Sequence, residues 1–157
     1  MALRPPDDDR PLGGYTLLMS VFAALCAVYG AWFKQSGREL PDRLGVDDLA
    51  LLTVASHKAS RLLSRDRVTS PLRAPFTQPE GDAGHGEVEE SSRGEGLRRA
   101  IGQLLLCPYC LGMWISAAFV ASLLTVPRLT RAVASVLAIF FGSELLQLAY
   151  RKAEDAV

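Results

Sequence analysis

From Ala100 to Val126 the chain runs for twenty-seven residues without one formal charge, directly after Arg98 and Arg99. A helix rises 1.5 Å per residue, so about twenty apolar residues cross the hydrocarbon of a bilayer. Two further runs meet the same condition: Pro11 to Phe33, and Ala132 to Tyr150, which is interrupted only by Glu144. Three such runs in 157 residues leave little chain for a water-soluble core. The expected fold class is therefore all-α and integral to the membrane, with three transmembrane helices at about 15–33, 104–126 and 132–150. Seventeen basic residues balance seventeen acidic ones, so there is no electrostatic footprint for nucleic acid.

Residues 1–14, with three prolines and three consecutive aspartates, read as a disordered tail, and 15–157 as a single membrane domain. The aspartates offset Arg4 and Arg10, so the first span is expected as a retained helix rather than a cleaved leader. Orientation follows from Lys and Arg near the span ends. Eight bases flank the 34–99 segment and the C-terminus, against four on the other side. The expected location is the cell membrane, multi-pass, with the N-terminus outside and the C-terminus cytoplasmic. Small residues recur every fourth position, as Ala23, Ala27 and Ala31 in the first span and Ala134, Ala138 and Gly142 in the third. Such ridges allow close helix approach, which fits a compact bundle, a homo-oligomer or a protein partner. Cys26 reads as a small packing residue within the first span.

The cytoplasmic segment has two halves. Residues 47–65 read as an amphipathic helix, with Leu51, Leu52, Ala55, Ala59, Leu62 and Leu63 on one face and His57, Arg61 and Arg65 opposite. It is expected to pack against the spans with its basic face in solvent or near anionic lipid headgroups. After Pro71 and Pro75, residues 77–96 hold five glycines and six acids, and read as a flexible acidic linker. The basic half would lie on the membrane while the acidic half stays away from it.

Chemistry is concentrated in Cys107-Pro108-Tyr109-Cys110. Pro108 suits a helix start, where its missing N–H costs nothing. Cys107 would then face unpaired N–H groups and the positive end of the helix macrodipole, which favour a thiolate. The tetrapeptide is also that of a glutaredoxin site, but no strands precede it as a thioredoxin-type fold requires. Two cysteines supply half a structural zinc site, and His57 and His85 together, or a second subunit, would have to complete it. Glu144 lies within the third span at about the depth of Cys110, where an acid is costly and can exchange protons with a thiol or bond a neighbouring helix. Trp114 is too deep for an interfacial belt and reads as a packing anchor.

The order of these features, ASHKASRLLSRDRVTSPLRAPF, a glycine-rich acidic stretch, then GLRRAIGQLLLCPYCLGMW, resembles a small bacterial integral-membrane family known as domain of unknown function 1360. That family includes a Bacillus protein labelled as sporulation-related. The resemblance covers about residues 45–150 and implies a multi-span membrane protein without an assigned activity. By resemblance, Arg61, Asp66, Thr69, Arg73, Pro75, Phe76, Cys107, Pro108, Cys110, Gly112 and Trp114 fall on the family pattern. Where the family usually has an acid before its cysteines, this chain has Gln103.

The leading expectation is a non-enzymatic structural or interaction protein of the bilayer, without a cofactor. One alternative is a membrane thiol–disulfide protein that uses Cys107 and Cys110, with Glu144 as proton partner. A further alternative is a metal-linked structural site at the same cysteines.

Overall fold

The computed structural model describes residues 10–155. Six helices and one hairpin follow in order: α1 Leu12–Gln35, α2 Val46–Ser64, a 3₁₀ turn Arg67–Thr69, α3 Ser70–Arg73, β1 Thr77–Gly84, β2 Glu87–Ser92, α4 Gly96–Leu106, α5 Pro108–Thr125 and α6 Pro127–Glu154. Helices α1, α5 and α6 are long and apolar enough to cross a membrane. Helix therefore dominates, as composition requires, and a small two-stranded sheet is added to it. Residues 1–9 of the expected N-terminal tail lie outside the described residues, and Leu12–Gly14 already belong to α1.

Two prolines set the helix ends. Pro108 has no N–H, and its ring would collide with the Leu104 carbonyl if the helix ran on. Cys107 before it adopts an extended conformation (φ −100°, ψ 100°), so the expected second span is divided into α4 and α5. Pro127 acts in the same way: Val126 alone separates α5 from α6, which turns them into a tight antiparallel pair.

Helix α2 lies along that pair. Asp48 bonds Arg131 near the start of both α2 and α6, and Lys58 meets Glu144 further along both, so α2 and α6 run parallel. Gly112, at the start of α5, approaches Ser60 near the end of α2, so α2 and α5 run antiparallel. Leu52, Ala55, Leu123 and Ala134 close the core between the three. The face α2 buries includes Ala55, Ser56, Ala59 and Ser60, small side chains that let it fit between its neighbours. The helix expected as a cytoplasmic element thus runs beside the spans over its whole length, about 28 Å for 19 residues.

Helix α1 packs less deeply, against α4 and α5. Tyr15 bonds Gln103, Phe22 meets Trp114 edge-on, and Tyr29 bonds the Ala121 carbonyl, so α1 and α5 are parallel. The resulting order of α1, α2, α5 and α6 is up-down-up-down, with Leu12 and Glu154 at one end of the bundle. Gly14 permits the closest crossing: a Cβ there would stand 2.5 Å from that of Ala100. Ala27 and Ala31 are exposed away from this contact, Ala23 borders the space between α1, α4 and α5, and Cys26 is exposed beside them. Their expected packing role within the chain is not the one observed.

Residues 77–92 are the clearest correction. The stretch read as a flexible linker is an antiparallel hairpin, paired from Thr77↔Ser92 to Gly84↔Glu87. Gly84, His85 and Gly86 all have positive φ and make its turn, which glycine allows without steric cost. The hairpin is anchored rather than free. Arg67 N–H donates to the Gly86 carbonyl, Val88 N–H to that of Arg65, and Arg93 N–H to that of Phe76. Gly102 of α4 lies against it so closely that a Cβ would come 2.5 Å from the Phe76 carbonyl oxygen.

Candidate functional site

Two clusters gather the residues singled out in the sequence. The first joins the end of α2 to the hairpin. The last carbonyls of a helix have no partner in the helix itself. Here Thr69 Oγ1 donates to Leu62 O at 2.5 Å, and Arg73 Nη1 donates to Leu63 O at 2.9 Å. Arg73, only 1% exposed, also donates to Asp66 O, Thr69 Oγ1 and Ser70 Oγ, and its Nε to Glu90 Oε2 at 2.5 Å. Arg61 pairs with Glu87, and Arg67 with Asp82 at 2.7 Å. Arg98 donates twice to the Pro75 carbonyl. Arg61, Asp66, Thr69, Arg73, Pro75 and Phe76 therefore form one scaffold that caps α2 and holds the hairpin. The acidic half of the segment folds back onto the basic half and pairs with it, contrary to their expected separation at the membrane. Gly84 N–H and Arg67 together hold the Asp82 carboxyl below the usual carboxylate range.

Beside this scaffold, Lys58 is 2% exposed and lies 2.5 Å from Glu144 and 3.6 Å from Asp66, with the Phe140 ring 4.2 Å from its ammonium. Glu144 thus has Lys58 as its partner on the neighbouring helix, while the cysteines sit on the α1 side of α5. Lys58 escaped the sequence reading, although one cation within the apolar face of a helix, and one acid in a span, are the signal of such a pair. His57 rests edge-on against Phe141, and His85 occupies the hairpin turn. No group of three or more His, Cys, Asp or Glu able to hold a metal ion occurs among the described residues.

The second cluster is the cysteine pair. Cys107 is the N-cap of α5, and its sulfur accepts the Cys110 N–H at 3.2 Å. The two sulfurs are paired, with Cα atoms 5.3 Å apart, a normal disulfide separation. The extended conformation that Pro108 imposes on Cys107 turns its side chain toward the first turn of α5. Cys110 is exposed and Tyr109 is 92% exposed. Gln103, one turn before the break, accepts the Tyr15 hydroxyl at 2.5 Å. Between α1, α4 and α5 an apolar groove of about 760 Å³ opens beside both cysteines, with Trp114 and Phe22 in its wall. Its geometry suits thiol exchange: an N-capping sulfur, an adjacent second sulfur and an open approach.

A family profile described as protein of unknown function (DUF1360) matches residues 51–150, which include both clusters. The chain is similar to the Bacillus subtilis protein named "Sporulation protein YjcA", with 33% identity over 94 residues, covering 58% of this chain and 80% of that one. It is also similar to the B. subtilis "UPF0713 protein YngL", with 28% identity over 109 residues, covering 69% of this chain and 82% of that one. No solved structure matches the chain.

Proposed function

The chain belongs to the DUF1360 family of proteins of unknown function, and on that premise we propose that it is a multi-pass membrane protein that exchanges disulfides with a partner through Cys107 and Cys110. The observation that carries this reading is the paired, N-capping geometry of the two sulfurs at an open surface. Cys107 is the nucleophile, because the Cys110 N–H and the α5 macrodipole favour its thiolate. Cys110 is the resolving thiol. The test is trapping: Cys110→Ser should accumulate a mixed disulfide with a partner, and Cys107→Ser should not. If neither variant traps a partner, and the double serine variant keeps the phenotype, the exchange reading fails. Since one relative is named for sporulation, spore formation is the phenotype to score where the host forms spores.

The same bundle supports a four-crossing topology. Helix α2 runs between two candidate spans, its length approaches the roughly 30 Å of the hydrocarbon, and its charged Lys58 is paired. Among the described residues, and leaving aside Lys58 within α2, ten Lys and Arg lie at the end that holds Leu12, the hairpin and Glu154, against five at the end with the α1–α2 and α5–α6 connections. The basic end is assigned to the cytoplasm, with both ends of the chain on that side. In this proposal both chain ends lie on one side, unlike the three-span arrangement with its N-terminus outside.

A second reading, as an interaction protein without chemistry, rests on the exposed small residues Ala27 and Ala31 on α1. Residues of that size would admit a helix of another chain.

A further inference from the structure

The groove beside the cysteines has features that thiol exchange with a protein partner does not use. Its walls are apolar, and it runs along α1, whose outward side chains, such as Met19 and Leu25, are exposed as they would be to lipid. Phe22 and Trp114 meet edge-on in its wall with ring centroids 5.0 Å apart, an aromatic surface on which a flat ring can pack. Its size falls within the roughly 300–1,000 Å³ of small-molecule sites. Gln103 also lines it; its Oε1 is taken by the Tyr15 hydroxyl, which leaves the Nε2 amide as a hydrogen-bond donor. Both Cys107 and Cys110 border the same space.

We propose that this groove seats a lipid-soluble quinone, which re-oxidises the reduced cysteine pair; the inference rests on the thiol–disulfide reading above. A quinone matches each feature: a flat ring for the aromatic wall, a carbonyl for the Gln103 amide, an apolar tail for the path along α1, and an electron demand for the two thiols. An acyl chain would use the apolar wall alone. In the step, the two S–H bonds of Cys107 and Cys110 break and one S–S bond forms. The two electrons and two protons pass to the quinone oxygens, giving a hydroquinone.

The experiment uses the full chain in lipid nanodiscs, reduced with a dithiol that is then removed, under anaerobic conditions. A short-tailed benzoquinone with every ring carbon substituted is added, so that thiols cannot add to the ring. Hydroquinone absorbance and mass-shift alkylation of the cysteines are followed, and oxidation by glutathione disulfide is measured in parallel. One hydroquinone per chain, formed with saturable kinetics, is the expected result. Both Gln103→Leu and Ala23→Trp, which fills the groove, should lower the ratio of quinone rate to glutathione disulfide rate about tenfold. Oxidation by glutathione disulfide without saturable oxidation by quinone overturns the quinone site and leaves thiol exchange standing. A rate ratio unchanged in both variants, or a groove that retains only phospholipid on extraction while quinone reacts no faster than with a free dithiol, overturns it as well. If neither oxidant converts the pair, both readings fall.

Discussion

Lys58 Nζ lies 2.5 Å from Glu144 Oε1 across the α2–α6 contact, with Asp66 Oδ2 at 3.6 Å on the other side. A cation almost wholly removed from solvent is thus shared between one acid on a candidate span and one at the end of α2. Removing Glu144 alone leaves the buried cation with only its longer contact to Asp66, whereas removing Lys58 and Glu144 together can be nearly neutral. Glu144→Leu should therefore destabilise the bundle by about 2–3 kcal/mol, toward the lower end because Glu144 is partly exposed. The double variant Lys58→Met/Glu144→Leu should recover most of that loss. Thermal unfolding in detergent checks both, and a double variant worse than either single one would show that the pair does not act as a unit.

Arg73 and Glu90 are more deeply enclosed, and Arg73 spends its remaining donors on backbone and hydroxyl oxygens. Arg73→Met should cost about 3–5 kcal/mol, since it strands Glu90 and the last carbonyls of α2 together. Arg73→Lys should rescue little of it, because a compact ammonium cannot reproduce the planar fork of donors. Proteolysis within 77–92 provides the readout, with fast cleavage in both variants and slow cleavage in the parent.

Crossing by α2 makes a prediction that the three-span arrangement does not. On the chain with its native cysteines replaced, single cysteines at positions 40 and 155 should label from opposite faces of sealed vesicles, and those at 10 and 155 from the same face. A cysteine at 10 that labels from the opposite face to 155 would mean that α2 does not cross.

The hairpin should respond to acid through Asp82. Its folded carboxyl titrates below the ordinary value of 3.8, first because Gly84 N–H bonds it and then because Arg67 pairs with it. A depressed folded value contributes stability above the unfolded pKa, and that contribution is lost as pH falls through the folded value. The contact is fully exposed, so salt should screen it. Exchange of the Gly84 amide should accelerate relative to its intrinsic rate as pH falls below 3.8. Asp82→Asn should remove that pH dependence.

The candidate spans were legible because long uncharged runs have few other uses, and the Cys107–Pro108 step was legible because proline fixes where a helix can begin. The fate of residues 77–92 was not. Thr-Gln-Pro-Glu-Gly-Asp-Ala-Gly has little strand propensity, and its order comes from Arg73, Arg61 and Arg67, which lie earlier in the chain, and from Gly102, which lies after it. Glu144 was legible as costly, but not its partner. Lys58 reads as one charge on an amphipathic helix until α6 is laid beside it, and the rule that puts solvent opposite an apolar face fails when a second helix covers that side. The groove could not be read at all, because it belongs to the fit between α1 and the α4–α5 break.

The Lys58–Glu144 pair also sets an order of events during synthesis. Of the two acids beside Lys58, the nearer one, Glu144, lies eighty-six residues downstream. When α2 leaves the ribosome, its cation therefore has only the longer contact to Asp66 within reach, and α2 is not among the helices apolar enough to be a candidate span by itself. If α2 crosses as proposed, its entry into lipid is favoured only once α6 has been made, so the α1–α2 connection should reach its final side after translation of that segment has finished. Biogenesis would then be a late rearrangement, in which the last helix draws an earlier one into the membrane.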